Sequence, residues 1–313
     1  VLVRVAASHI RIGTFEYFAA RGDLDGLRML ADYAIGRHYP ELADAPDRYF
    51  DLFEKVAERQ SSLVARWMQI GFIHGVMNTD NMTISGETID FGPCAFMDEY
   101  DPATVYSFID RRGRYAYGNQ PNILQWNLAR LAETLLPLID ADEGRAIERA
   151  TASLHGVSAR FDRHWLDGFR RKLGLRTAED GDHVLVADLL EVMRAEAADF
   201  TNTFRALAEA ATDDTALAVP YTAWVRRWRE RLSREPDGVE SFVAVMRRAN
   251  PAYIPRNHRI EEIIVAAVQD GDLAPFHALH AVLARPYETQ PDRDSYQTPP
   301  LPHERVQNTF CGT

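Results

Sequence analysis

The chain has 313 residues, 46% of them apolar and 26% charged, with a net charge of -11, the balance of an ordinary globular protein with a sizeable core. That charge argues against non-specific nucleic-acid binding, which needs a basic footprint, and no apolar run approaches the ~18 residues of a membrane helix. Two cysteines, Cys94 and Cys311, provide no disulfide framework and suit a reducing compartment.

Val1 to Ala6 (VLVRVA) reads as a strand. Because the first residue is not Met and the chain opens inside this pattern, it is expected to be a piece of a longer protein. No charged n-region with an apolar h-region begins it, so no signal peptide is expected. Thr14 is the expected N-cap of a helix from about Phe15, and a second helical stretch follows a break at Gly22. Asp47 to about Met68 forms a long amphipathic pattern on Phe50, Phe53, Val56, Leu63, Val64 and Trp67.

Gly71 to Asp98 is rich in glycine and apolar residues and suggests two short strands joined at Ser85-Gly86. After a loop, Asn122 and Gln125 make a capping pattern behind Pro121, opening a helix to about Ile139. A single helix is expected over 142–173. Shorter ones follow over 187–198, 201–211, 221–234, 238–249, 258–269 and 273–283. From Arg285 five prolines accumulate and periodicity vanishes, so residues 285–313 are expected to be an extended or partly disordered tail. Residues 1–284 then form one mainly α domain with a small β element.

The chemistry concentrates in seventeen residues that hold His74, Asp80, Asn81 and Asp90. His74 and Asn81 are seven apart, the spacing of a kinase catalytic loop, and Asp90-Phe91-Gly92 follows. Asparagine and aspartate oxygens suit a hard cation such as Mg²⁺. In that loop the third residue is the Asp that accepts the acceptor hydroxyl's proton; here it is Val76, which has no carboxylate. An Asp-Asn pair is more often a turn than a site. The His74 spacing upstream and the Asp-Phe-Gly downstream are what raise this one above a turn. Arg4 and Arg11, seven apart around a bend, can converge on a phosphate or stand as solvated surface residues. His9 and His74 read as structural, and no zinc spacing, Gly-x-Ser-x-Gly elbow or Walker loop occurs.

The blocks RVAASHIRIGTFEYFAARG, GFIHGVMNTDNMTISGETIDFGPCAFMD, GRYAYGNQPNILQWNLARLAETLLPL and NPAYIPRNHRIEEII together resemble the selenoprotein O family. The resemblance implies the C-lobe of a protein-kinase-like (pseudokinase) fold, with the N-lobe, its Gly-rich loop and ATP-contacting Lys absent from these residues. It implies a protein adenylyltransferase that moves AMP from ATP onto Ser, Thr or Tyr hydroxyls of proteins and releases pyrophosphate. Asp80 would be the proton acceptor, Asn81 and Asp90 the ligands of Mg²⁺ or Mn²⁺, Asp90 also an ATP contact through the metal, and Arg4 and Arg11 the phosphate-binding residues.

On that reading the partners are ATP and protein acceptors, with neither nucleic acid nor membrane. The compartment is the cytoplasm in a bacterium, or the mitochondrion in a eukaryote. The 313 residues alone are expected to bind ATP weakly and to be inactive. A redox link between Cys94 and Cys311 is a further possibility, since some members carry selenocysteine near the C-terminus. The rivals are a true kinase, disfavoured by Val76, and a non-catalytic pseudokinase scaffold.

Overall fold

A computed structural model describes residues 3–213 and 215–310. The chain starts with α1 (Ile12–Ala19) and α2 (Leu24–His38), then the long α3 (Arg48–Gln69). Two short strands, β1 (Phe72–Ile73) and β2 (Ala95–Phe96), pair antiparallel with Phe72 opposite Phe96 and Ile73 opposite Ala95. The helices α4 (Gln120–Ile139), α5 (Glu143–His155), α6 (Val157–Lys172), α7 (Asp182–Ala195) and α8 (Phe200–Ala210) follow. The last four are α9 (Thr222–Leu232), α10 (Val239–Ala249), α11 (Asn257–Val265) and α12 (Ala274–Leu283). The protein is thus mainly helical with a two-stranded sheet.

α3 is the central beam. Its apolar stripe recurs at helical spacing, and Phe53, Val56 and Val64 are fully buried between α4 and α6, which pack along it. The helix ends at Gln69 and the chain turns at Gly71, whose φ of 71° a side chain would strain; a Cβ there would also stand 3.1 Å from the Phe200 ring. The chain therefore leaves the buried helix directly into β1.

Several expectations need correction. Residues 3–6 form no strand, and Val3 and Val5 are exposed; a β pattern without a partner strand cannot hold its shape. Val1, Leu2 and Cys311 lie outside the described residues. α1 begins at Ile12, with Arg11 as N-cap and Thr14 as the third helical residue, its hydroxyl accepting the Arg11 N–H at 3.3 Å. Residues 142–173 form two helices broken at Gly156. One apolar pattern runs through both, because α5 packs on α4 and α6 on α3.

α7 starts five residues earlier than its apolar pattern suggests. Its first residue, Asp182, is fully buried and accepts from Arg170 (2.7 Å) and Arg231 (2.8 Å). The tail is docked. Thr309 donates its N–H to Tyr106 O at 2.7 Å and accepts from Phe108 N at 3.1 Å, Arg305 pairs with Glu99, and the Thr309 hydroxyl donates to Pro93 O at 2.5 Å. Prolines remove donors from a segment but leave its carbonyls and side chains free to bind.

Lys172 closes α6 in an apolar pocket, its ammonium 4.1 Å from the Phe204 ring centre and 5.3 Å from that of Phe200. Burial pulls it from its ordinary 10.5 down to about 7. Between those two pH values the unfolded chain holds a proton that the folded chain has released, so stability rises with pH through that window. The cost is complete below pH 7 and gone above about 10.5. Lys172→Met is therefore expected to stabilise the protein at pH 7 by ~2–3 kcal/mol, the ring contacts already recovering part of the desolvation. Urea unfolding at pH 7 and pH 10 checks this: a gain that does not shrink at the higher pH would refute the desolvation account.

Candidate active site

The segment after β1 is shaped by buried amides. His74 is fully buried. Its Nε2–H donates to Ile89 O at 2.9 Å, and its Nδ1 faces the Val76 N–H at 3.4 Å, which fixes the tautomer. Burial pushes its pKa down, partly opposed by the Ile89 carbonyl and the nearby charge of Asp90. His74 is thus a neutral structural strut. Gln120, at the start of α4, accepts the His74 N–H at 3.1 Å and donates to Phe72 O at 3.1 Å. Asn127, two turns further along the same face of α4, donates to Met77 O at 2.9 Å.

A short 3-10 turn, Thr79–Asn81, then presents the Asp80-Asn81 pair. The Asn81 amide donates to Val76 O at 2.7 Å, so its Oδ1 is left turned away from the loop's own hydrogen bond. The expected strand-turn-strand survives as a single bridge, Met82 opposite Thr88, around Gly86 at φ 75°. Three residues fasten it to the helices: Gln60 donates to Thr83 O, Tyr39 Oη to Ile84 O at 2.6 Å, and Trp67 Nε1 to Thr88 Oγ1 at 2.8 Å. The approach to α1 pairs with the same segment, Ile12 N donating to Met82 O and Ile84 N to Ile10 O, each at 3.0 Å.

The charged residues of interest stand on this frame. Asp80 is exposed and leans on the first turn of α1: a Cβ on Gly13 would fall 2.1 Å from its Oδ1. Only glycine leaves the carboxylate where it is. Asp90 is exposed, at φ 55°, a left-handed conformation that Asp tolerates at some cost in strain. Arg4 donates to Thr88 O at 3.2 Å and lies 5.8 Å from the Phe91 ring centre. Arg11 is half-buried and bridges to Thr83. Both arginines therefore lie against the 82–91 segment, while Asp80 and Asn81 share the turn before it.

Among the described residues no group of three His, Cys, Asp or Glu side chains could hold a metal ion. Mg²⁺ takes one or two protein oxygens and completes its shell with water and substrate phosphate. Asn81 Oδ1 and the Asp90 carboxylate are oxygen donors of that kind.

Sequence reasoning missed Gln60, Gln120 and Asn127, the amides that hold the loop. Each is fully buried. A polar amide inside an apolar helical stripe is costly unless it satisfies a backbone group, and that was the signal available.

The comparisons agree along the chain. Residues 1–284 match the family described as Protein adenylyltransferase SelO. The chain is 59% identical over 322 aligned positions to Protein nucleotidyltransferase YdiU of Rhizobium etli (strain CIAT 652), covering 100% of this chain and 64% of that protein. It is 58% identical to the protein of that name from Rhizobium meliloti (strain 1021), covering 66% of it. Against the one from Cereibacter sphaeroides (strain ATCC 17029 / ATH 2.4.9) it is 58% identical over 320 positions, covering 65%. The chain spans just under two thirds of the length of these curated relatives. Its match over residues 1–284 and its identity to these proteins place it in the SelO family.

Proposed function

We propose that this chain carries the acceptor- and metal-side machinery of a protein adenylyltransferase with a kinase-like C-lobe. AMP passes from ATP to a Ser, Thr or Tyr hydroxyl of a protein. The observation that carries this reading is the exchange of Val76 for Asp80. Val76 occupies the kinase base position with an apolar side chain, and its carbonyl is engaged by Asn81. The exposed carboxylate stands at Asp80 instead, directly before the metal-side Asn81.

Asp80 takes the proton of the acceptor hydroxyl as its oxygen bonds to the α-phosphorus. The bond from that phosphorus to the bridging oxygen breaks, and pyrophosphate leaves with the electron pair. Arg4 and Arg11 bind the nucleotide phosphates through their guanidinium forks. Asn81 and Asp90 hold Mg²⁺ or Mn²⁺, which when bound neutralises phosphate charge. The relatives named above are bacterial, and the cytoplasm is the compartment we assign, since ATP and Mg²⁺ are at hand there.

The test is transfer of label from ATP to protein by the complete protein. α-Label is expected on the acceptor and γ-label is not. Transfer of γ-label would make the protein a kinase, and transfer of neither would leave a scaffold. In the same assay residues 1–313 alone are expected to fall far behind a full-length relative, given the share of its length they span.

A further inference from the structure

We propose that the loop from Ser107 to Tyr115 is the docking surface for the acceptor protein and that it selects segments combining acidic and large apolar side chains. The proposal rests on the acceptor being a protein, the reading just given.

The loop is held at both ends. The Asp110 carboxylate accepts the N–H of Arg114 at 2.9 Å and of Tyr115 at 2.7 Å. Tyr115 Oη donates to Asn78 Oδ1, the N-cap of the turn that carries Asp80. At its other end the Thr309 pairing with Tyr106 and Phe108 pins it to the tail. Whatever binds the loop is therefore presented in a fixed position relative to the candidate base.

Its chemistry sets it apart in a chain of net charge -11. Arg111 and Arg112 are adjacent and exposed, and among the described residues neither guanidinium has a hydrogen bond or ion pair. The neighbouring cations are engaged: Arg114 lies 4.7 Å from the Trp126 ring centre and Arg305 pairs with Glu99. Two unpaired like charges side by side repel, and an anionic partner relieves them.

Beside them runs an apolar ledge. Ile109 is 69% exposed and Phe108 is 50% exposed, with the Phe108 ring centre 5.0 Å from that of Phe310 and the two rings tilted by 38°. Phe310 in turn lines a cavity of about 420 Å³ that reaches Phe91 of the Asp-Phe-Gly segment. A surface that joins free arginines to exposed aromatic and aliphatic side chains matches an acidic peptide with large apolar residues. A nucleic acid would need a far more extended basic footprint than one loop in an acidic protein.

The experiment is fluorescence anisotropy of the complete protein, without ATP, with two labelled peptides. One has a tyrosine flanked by glutamates and leucines; in the other, lysines replace the glutamates. The acidic peptide is expected to bind about three- to tenfold more tightly, as two exposed ion pairs allow. The preference should shrink at high salt. Arg111→Glu/Arg112→Glu should remove or reverse it with the circular dichroism spectrum unchanged. Equal affinities, a preference that survives the double substitution, or stronger displacement by a single-stranded RNA oligomer than by unlabelled acidic peptide would each overturn the proposal. Because binding is read without transfer, a preference seen together with no α-label transfer would sink the adenylyl reading alone.

Discussion

Asp80→Asn in the complete protein should cut AMP transfer by ~10²–10⁴-fold, the range a positioned general base contributes. Asparagine nearly matches aspartate in shape and keeps an oxygen in the Gly13 cleft but cannot take a proton. Nucleotide binding should hardly change, because the nucleotide-side roles are assigned to Asn81, Asp90, Arg4 and Arg11. Asp90→Ala should instead weaken metal-dependent nucleotide binding along with turnover. The pair separates the two roles: measuring the dissociation constant for Mg²⁺·ATP beside the single-turnover rate decides it. An Asp80→Asn protein with an unchanged transfer rate would remove Asp80 from the mechanism.

Removing Arg256 should have the largest effect on stability. Its guanidinium is 1% exposed and donates to Asp98 at 2.5 Å and to Asp199 at 2.7 Å. It ties the end of the Gly71–Asp98 stretch to the N-cap of α8. Burial pushes the Asp98 pKa up even with the arginine in place. Without it two carboxylates face each other with no counter-charge, which costs ~3–5 kcal/mol for a buried pair broken on one side.

Arg256→Ala is therefore expected to lower the urea midpoint strongly at pH 8 and less at pH 5. A carboxyl raised in the folded state contributes most at low pH and loses that contribution as pH rises through its folded value. A second substitution, Asp199→Asn, should recover part of the loss at pH 8. A deficit that is the same at both pH values would mean that packing, rather than charge, holds this joint.

Much of the frame could be read from residue order. The α3 stripe was legible because eleven of its residues are buried on one face, and a period of 3.6 survives any tertiary context that keeps that face inward. The turn at Asp80-Asn81 was legible as a polar pair between apolar runs, and it forms as the 3-10 turn Thr79–Asn81. The loop's supports were not: Gln120 reaches back 46 residues to His74, and a contact of that span leaves no periodic trace. Residues 3–6 misled for the opposite reason, since their pattern is β-like but pairing is a property of a partner. Gly156 was passed over because the apolar rhythm continues across it even though the helix does not.

The docked tail turns the end of the described chain into an indicator of the Asp-Phe-Gly segment. Thr309 is hydrogen-bonded to Pro93 O, three residues from Asp90, and Phe310 borders the cavity that Phe91 also lines. A probe attached near Phe310 would sit beside the Asp-Phe-Gly segment and report its movements from a position far away in sequence. For the same reason a bulky affinity tag placed there would encroach on the site, and purification handles belong elsewhere on the protein.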